Sequence, residues 1–181
     1  MASSRKKTLQ RLRVPFGFIF AGIYVIFAAP TWITIAVGGG FGLLGIGLRA
    51  WSAGHIRKNK VLAVSGPYRF TRNPLYLGSF IMGLGLMGAS GLWWLTILFA
   101  VLFLCIYLPV MSVEAEELTS VFGEKYEAYA RAVPLFFPGF RRGMRDDKKF
   151  EPELYLRYRE YQAFLGYLAI IAVLVGKIIF F

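Results

Sequence analysis

This sequence predicts an all-α integral membrane protein of about five transmembrane helices, organised around a central helical hairpin. Three observations carry that expectation. The chain of 181 residues is 57% hydrophobic and only 17% charged, with a mean hydropathy of +0.56, values that a soluble domain of this size rarely reaches. Its charge is segregated. Of the 21 Lys and Arg residues, five lie in 1–13, six in 49–72 and nine in 114–160, leaving Lys177, and all ten acidic residues fall in 114–160. Finally, a polar stretch from Ser65 to Gly78, punctuated by Gly66-Pro67 and Asn73-Pro74, is set between two strongly apolar halves.

Val14–Ala29 is the first apolar segment, short for a span but adequate when its flanks reach the interface. The basic residues before it imitate a signal peptide, but no small-residue cleavage site follows and the run leads into another span, so it is read as retained. Pro30 breaks it. Thr31–Trp51 is the second segment, where Gly38 with Gly42, and Gly40 with Gly47, predict a smooth face for close helix packing. Arg49 to Arg72 is basic and polar and returns to the starting side. Leu75–Ala89 and Leu92–Pro109 then form two apolar helices joined by the tight Gly88-Ala-Ser-Gly91 turn, a hairpin that crosses the bilayer and comes back. Pro74 suits the first helical turn, and Asn73 is the expected N-cap, its side chain satisfying an N–H of that helix.

Both ends of the hairpin therefore deliver polar residues to one face, the Arg/Asn/Tyr turn before it and the Glu114-Ala-Glu-Glu117 stretch after it. From Glu114 an amphipathic helix runs to Gly123, which ends or kinks it; a helix resumes over Glu124–Arg131, and Val133–Gly139 is an extended, aromatic exit. Arg141–Lys149 reads as solvated linker, Glu153–Tyr161 as interfacial and Ala163–Phe181 as the last span. The expected loops at Ala28–Thr31 and Gly88–Gly91 carry no charge. By the positive-inside rule this puts the N-terminus in the cytoplasm and the C-terminus outside it, in a membrane of the bacterial inner type. The whole of 1–181 reads as one membrane-embedded domain without internal repeats.

The net charge of +11 invites a nucleic-acid reading, but its correlation with the apolar segments is what a membrane imposes and a nucleic-acid face does not. One cysteine, Cys105, and one histidine, His55, can build neither an intrachain disulfide nor a metal cluster. There is no Cys/His or Ser/His pair, and no phosphate loop of Rossmann or P-loop spacing, which disfavours hydrolysis. A polar site of arginines, an amide, tyrosines and carboxylates beside lipid suits chemistry on an amphiphilic substrate, with a cofactor carrying the electrophile. A helix N-terminus flanked by Arg69 and Arg72 is also a natural holder of an anionic group.

The residues Gly66-Pro-Tyr-Arg-Phe-Thr-Arg-Asn-Pro-Leu-Tyr-Leu-Gly78, a hydrophobic hairpin, acidic residues, then Phe122-Gly-Glu-Lys-Tyr126, Tyr129 and Val133-Pro134 resemble the isoprenylcysteine carboxyl methyltransferase family, of which phospholipid N-methyltransferases are near relatives. The resemblance covers about residues 45 to 138 and leaves the span at 163–181 outside. It implies an integral membrane enzyme that uses S-adenosylmethionine, bound on the cytoplasmic side, and a lipophilic small-molecule or lipid substrate arriving from the bilayer. By that likeness Lys60, Leu62 and Ala63 pass the cofactor's adenosine, and Tyr68, Asn73, Pro74, Leu75 and Tyr76 enclose the cofactor. Glu114 holds it, with Glu117 the alternative if the register slips. Arg72 and Asn73 are the candidates nearest the chemistry, Arg72 together with Arg69 for a carboxylate. The family usually has His where this chain has Asn73, an amide that can hydrogen-bond but not titrate. It has a second Glu where Ala115 stands, and the enzymes acting on prenylcysteine have an Arg where Val110 stands, so prenylcysteine is not supported as the substrate. The alternatives are a membrane reductase of the sterol-reductase type using NADPH, and a non-catalytic membrane scaffold or small transporter, for which ionisable residues within the spans would speak. Lys177 and Arg49 are the two that qualify.

Overall fold

A computed structural model describes residues 22–56, 61–139 and 148–180. Val14–Ala29 therefore falls mostly outside the described residues, and its described end is helical over residues 22–27 (α1). Beyond Pro30, Thr31 opens the next helix with a reciprocal cap: its Oγ1 accepts from the Thr34 N–H at 3.1 Å, and its own N–H donates to Thr34 Oγ1 at 2.8 Å. Helix α2 then runs Trp32–Ala53, with a π-helical stretch at Ile35–Gly39.

The glycine face forms, with some but not all of the expected members. α2 packs on α3 (Pro74–Ala89) so closely that a Cβ on Gly45 would stand 2.3 Å from Met82 N and 2.5 Å from Gly78 O. One on Gly38 would meet Ala89 N at 2.3 Å, and one on Gly85 would meet Gly42 N at 2.4 Å. Only glycine permits that backbone approach. Gly38 and Gly42 belong to this seam as predicted, together with Gly45. A Cβ on Gly40 or Gly47 would meet nothing within 4 Å among the described residues, because steps of four and three residues keep one helix face and the 40/47 pair lies on another.

The hairpin is present, but its second arm is longer than the sequence suggested. After a turn through Gly91 (φ 79°), α4 runs unbroken over Trp93–Phe122, 30 residues, with Pro109 inside it. Pro109 costs the Cys105 carbonyl its i→i+4 partner, yet the helix passes through into the acidic stretch. Gly123 ends it at φ 54°, and α5 (Glu124–Ala132) follows. Along the hairpin the rings of Phe80, Phe99, Phe103 and Tyr107 pack in sequence, and Phe136 of the exit segment lies 5.7 Å from Phe80. The two uncharged loops meet: the Ala29 N–H donates to Ser90 O at 2.8 Å.

The stretch expected to be one interfacial segment is a short helix, α6 (Pro152–Arg157), followed by a break at Arg159, whose φ is 54°, and α7 (Tyr161–Phe180). Helix α7 docks on the α2 glycines, the Tyr167 hydroxyl donating to Gly39 O. Near its end Lys177 Nζ donates to the carbonyls of Val25 (2.9 Å), Ile26 (3.3 Å) and Ala28 (2.7 Å), satisfying acceptors that the end of α1 leaves open. Among the described residues α2, α4 and α7 are long and apolar enough to cross a bilayer, and α3 is a shorter apolar helix beside them. The protein is an all-helical membrane protein.

Candidate functional site

The polar turn before α3 is tied to the aromatic exit after α5. The Arg72 N–H donates to Pro134 O and the Gly139 N–H to Phe70 O, each at 2.9 Å, and the buried Thr71 hydroxyl donates to Phe136 O at 2.7 Å. Asn73 is part of this seam. It occupies the N-cap position of α3, but its side chain caps no helix N–H. Its Nδ2 donates to Leu135 O at 2.9 Å instead. The expected cap is therefore corrected: the amide serves as a donor across 62 residues, because a carbonyl of the exit segment lies within its reach.

Pro74 is buried behind this seam, and the next two residues face different neighbours. The Leu75 carbonyl accepts from Ser79 Oγ at 2.9 Å and from Arg49 Nη1 of α2 at 3.5 Å. Tyr76 turns toward α4. Its hydroxyl donates to Glu114 Oε1 at 3.0 Å, and its ring lies 5.3 Å from that of Tyr107. Glu114 is half-buried, whereas Glu116 and Glu117 are exposed. The structure thus joins Tyr76 to Glu114.

On the other side of the turn, Arg72 Nη1 donates to the Tyr126 hydroxyl at 3.1 Å, with the guanidinium 5.8 Å from the Tyr126 ring centre. Its Nε is buried without a hydrogen-bond partner among the described residues. Leu62 is buried with Val64, Tyr126, Tyr129 and Val133, against Ala115 and Leu118 of α4, and Ala63 beside it is half-buried. Tyr68 is buried, and its carbonyl accepts from the Tyr129 hydroxyl at 2.7 Å. Burial first, then the neighbouring Tyr129 hydroxyl and the Glu160 carboxylate, push the Tyr68 hydroxyl well above its ordinary value, so it is a neutral phenol. Lys60 lies outside the described residues.

These side chains gather at the Arg72–Tyr76 end of the hairpin. A shallow depression of about 470 Å³ lined by Thr34, Gly88, Gly91 and Trp93 lies at the opposite end and holds no ionisable side chain. The candidate site thus joins a carboxylate acceptor bonded to a phenol and, near α5, an arginine with an uncommitted N–H. The set is chemically suited to a polar molecule that carries both hydroxyl or amino donors and an anionic group.

The phospholipid methyltransferase family matches residues 33–125, just over half of the chain, from α2 through the hairpin to the start of α5. The chain belongs to that family. Among curated relatives, it is 41% identical over 105 residues to the cobalt-zinc-cadmium resistance protein CzcN of Cupriavidus metallidurans, covering 54% of this chain and 47% of that protein. It is 38% identical over 116 residues to the nickel-cobalt-cadmium resistance protein NccN of Alcaligenes xylosoxydans xylosoxydans, covering 60% and 53%. It is 33% identical over 81 residues to the protein-S-isoprenylcysteine O-methyltransferase of Schizosaccharomyces pombe, covering 45% and 34%. The chain thus matches about half the length or less of these relatives. No solved structure matches it.

Several residues of this region carried a weaker signal in the sequence. Tyr126 and Tyr129 were visible only as parts of a motif, and their bonds to Arg72 and to the Tyr68 carbonyl give them their place. His55 packs between the rings of Trp51 and Phe150, with its Nδ1 3.0 Å from Ser65 Oγ.

Proposed function

We propose that this protein transfers a methyl group from S-adenosylmethionine to a lipophilic or membrane-associated acceptor at the polar end of the α3–α4 hairpin. The observation that carries the reading is the Tyr76–Glu114 hydrogen bond. It unites the two ends of the hairpin within the family-matched region, and one of the relatives is itself named a methyltransferase. The donor set fits the cofactor. Glu114 would accept from its ribose hydroxyls or amino groups, Tyr76 would hold that carboxylate in place, and Arg72, whose Nε is uncommitted, would meet a carboxylate. Leu62, Ala63, Tyr68, Asn73, Pro74 and Leu75 would form and brace the surrounding wall.

S-adenosylmethionine would supply an electrophilic methyl group, so the protein's own task is to bind, orient and exclude water, effects that can supply several kcal/mol. Neither Asn73 nor the neutral Tyr68 needs to move a proton for that. The expected setting is a bacterial-type inner membrane with the site on the cytoplasmic side. Titration of the detergent-purified protein with S-adenosylhomocysteine and with NADPH tests the reading. Micromolar binding of the former, roughly −8 kcal/mol, is expected. Heat and thermal stabilisation with NADPH alone would overturn it.

A further inference from the structure

Helices α6 and α7 lie beyond the family-matched residues 33–125, yet α7 is anchored to the turn that bears Tyr76. The anchor is Glu160, immediately before α7. Its Oε2 accepts from Arg49 Nη2 at 2.7 Å and from Arg49 Nε at 3.1 Å. The remaining Arg49 nitrogen, Nη1, donates to Ser79 Oγ and, at 3.5 Å, to Leu75 O. Ser79 closes the triangle by donating its own hydroxyl to Leu75 O at 2.9 Å. Both charged side chains are largely withdrawn from solvent, 21% and 12% exposed, so neither is an ordinary surface ion. Arg159, the residue before Glu160, adopts φ 54°, a region that non-glycine residues rarely enter, at the break between α6 and α7.

We infer that Arg49 and Glu160 are positioning residues that fix the first turn of α3, and through it hold Tyr76 against Glu114. The inference rests on the methyltransferase reading only for its effect on ligand binding. The geometry explains why one guanidinium is used. It offers donors on separate edges, so it can grip a carboxylate with two nitrogens and a helix carbonyl with the third, which an ammonium on a single point cannot do. The carbonyl it grips belongs to Leu75, adjacent to Tyr76. A shift of that turn toward α2 or away from it therefore changes the reach of the Tyr76 hydroxyl to Glu114.

The test uses the full chain in detergent, with Glu160→Gln, Arg49→Lys and, as a comparison, Lys177→Met, which removes the contact at the far end of the same helix. Hydrogen exchange of the amides in 77–80 is read without ligand, and the Kd for S-adenosylhomocysteine is read by calorimetry. The expected result is exchange about three- to tenfold faster at 77–80 and a Kd about five- to twentyfold weaker in Glu160→Gln and Arg49→Lys. Lys177→Met should lower the thermal midpoint while leaving both readings within twofold. Unchanged exchange at 77–80 in both Arg49 and Glu160 variants would overturn the inference whatever the protein binds. Faster exchange with an unchanged Kd would overturn the link to the site. A parent protein that binds no S-adenosylhomocysteine would refute the functional reading, while the exchange result would still decide whether the pair positions the turn.

Discussion

The hydroxyl of Tyr76 and the carboxylate of Glu114 are 38 residues apart in the chain and 3.0 Å apart in space. Each stands at the polar end of one arm of the hairpin, so the bond measures whether the arms are in register. One residue of slippage along α4 would rotate Glu114 by about 100° around the helix axis and replace it with Ala115 or Val113. The acidic register is thus set by the packing of Phe80, Phe99 and Phe103 farther along the same arms.

Glu114→Gln keeps the shape and removes the charge. It is expected to weaken S-adenosylhomocysteine binding by about 1.5–3 kcal/mol, the scale of a charge-assisted hydrogen bond. Glu116→Gln, on the exposed side of α4, should leave binding unchanged. Calorimetry on the three proteins decides it, and the reverse ranking would move the acidic site to Glu116.

Asn73→Ala takes a donor from the Leu135 carbonyl, which then keeps only the longer approach of the Thr71 hydroxyl at 3.4 Å. A loss of stability of about 1 kcal/mol is expected, visible in thermal unfolding, with a smaller effect on ligand affinity. Were Asn73 instead a direct ligand contact, affinity would fall and stability would not.

The glycine seam gives a sharper contrast. Gly45→Ala drives a methyl group into the backbone of α3, where neither Met82 N nor Gly78 O can rotate away, and should cost about 1–3 kcal/mol or more. Gly47→Ala, two residues on, meets nothing among the described residues and should be neutral or stabilising by about 0.5–1 kcal/mol, since alanine is the better helix former. Unfolding of both variants in mixed micelles checks the pair.

Burial, as the larger cause, raises the hydroxyls of Tyr68 and Tyr129 above the ordinary value of 10.0. A raised value means that the fold favours the protonated form. The associated stability is complete below about pH 10 and is lost as the pH rises beyond it. Tyr129→Phe should cost about 1–2 kcal/mol at neutral pH, through the lost bond to the Tyr68 carbonyl, and should flatten the alkaline decline. Thermal midpoints from pH 7 to 11 would show both effects.

The charge segregation predicts an extracytoplasmic C-terminus. A reporter fused after Phe181 should read on that side, and a cytoplasmic signal would mean that α7 does not cross.

Much of the arrangement was legible because a bilayer constrains sequence strongly. Apolar length, uncharged loops and a polar stretch at each end of the hairpin already imply that the segment bearing Tyr76 and the one bearing Glu114 come to one end of it. The illegible parts are those whose partners are backbone atoms distant in sequence. Nothing in the sequence around Asn73 shows that its amide faces the Leu135 carbonyl rather than an N–H of its own helix. Pro109 reads as a stop, yet the helix absorbs one missing N–H and continues. In the sequence Arg49 reads as an ionisable residue near the end of a span, and Glu160 as part of an interfacial segment. Their pairing depends on how α7 docks through Tyr167 against the α2 glycines, a matter of shape that no local pattern records.

Helix α3, by contrast with its 30-residue partner, has only 16 residues. At 1.5 Å per residue it rises about 24 Å, several ångström less than a hydrocarbon core of about 30 Å. If α3 crosses the bilayer, the seam of Thr71, Arg72 and Asn73 at its start would be drawn below the level of the lipid headgroups, or the bilayer would dimple to meet it. Membrane thickness would then set how deep the seam lies. In thin, short-chain lipid the seam would rest at the water boundary, and in thick lipid it would sit in a well that an acceptor could reach by sliding sideways along the leaflet.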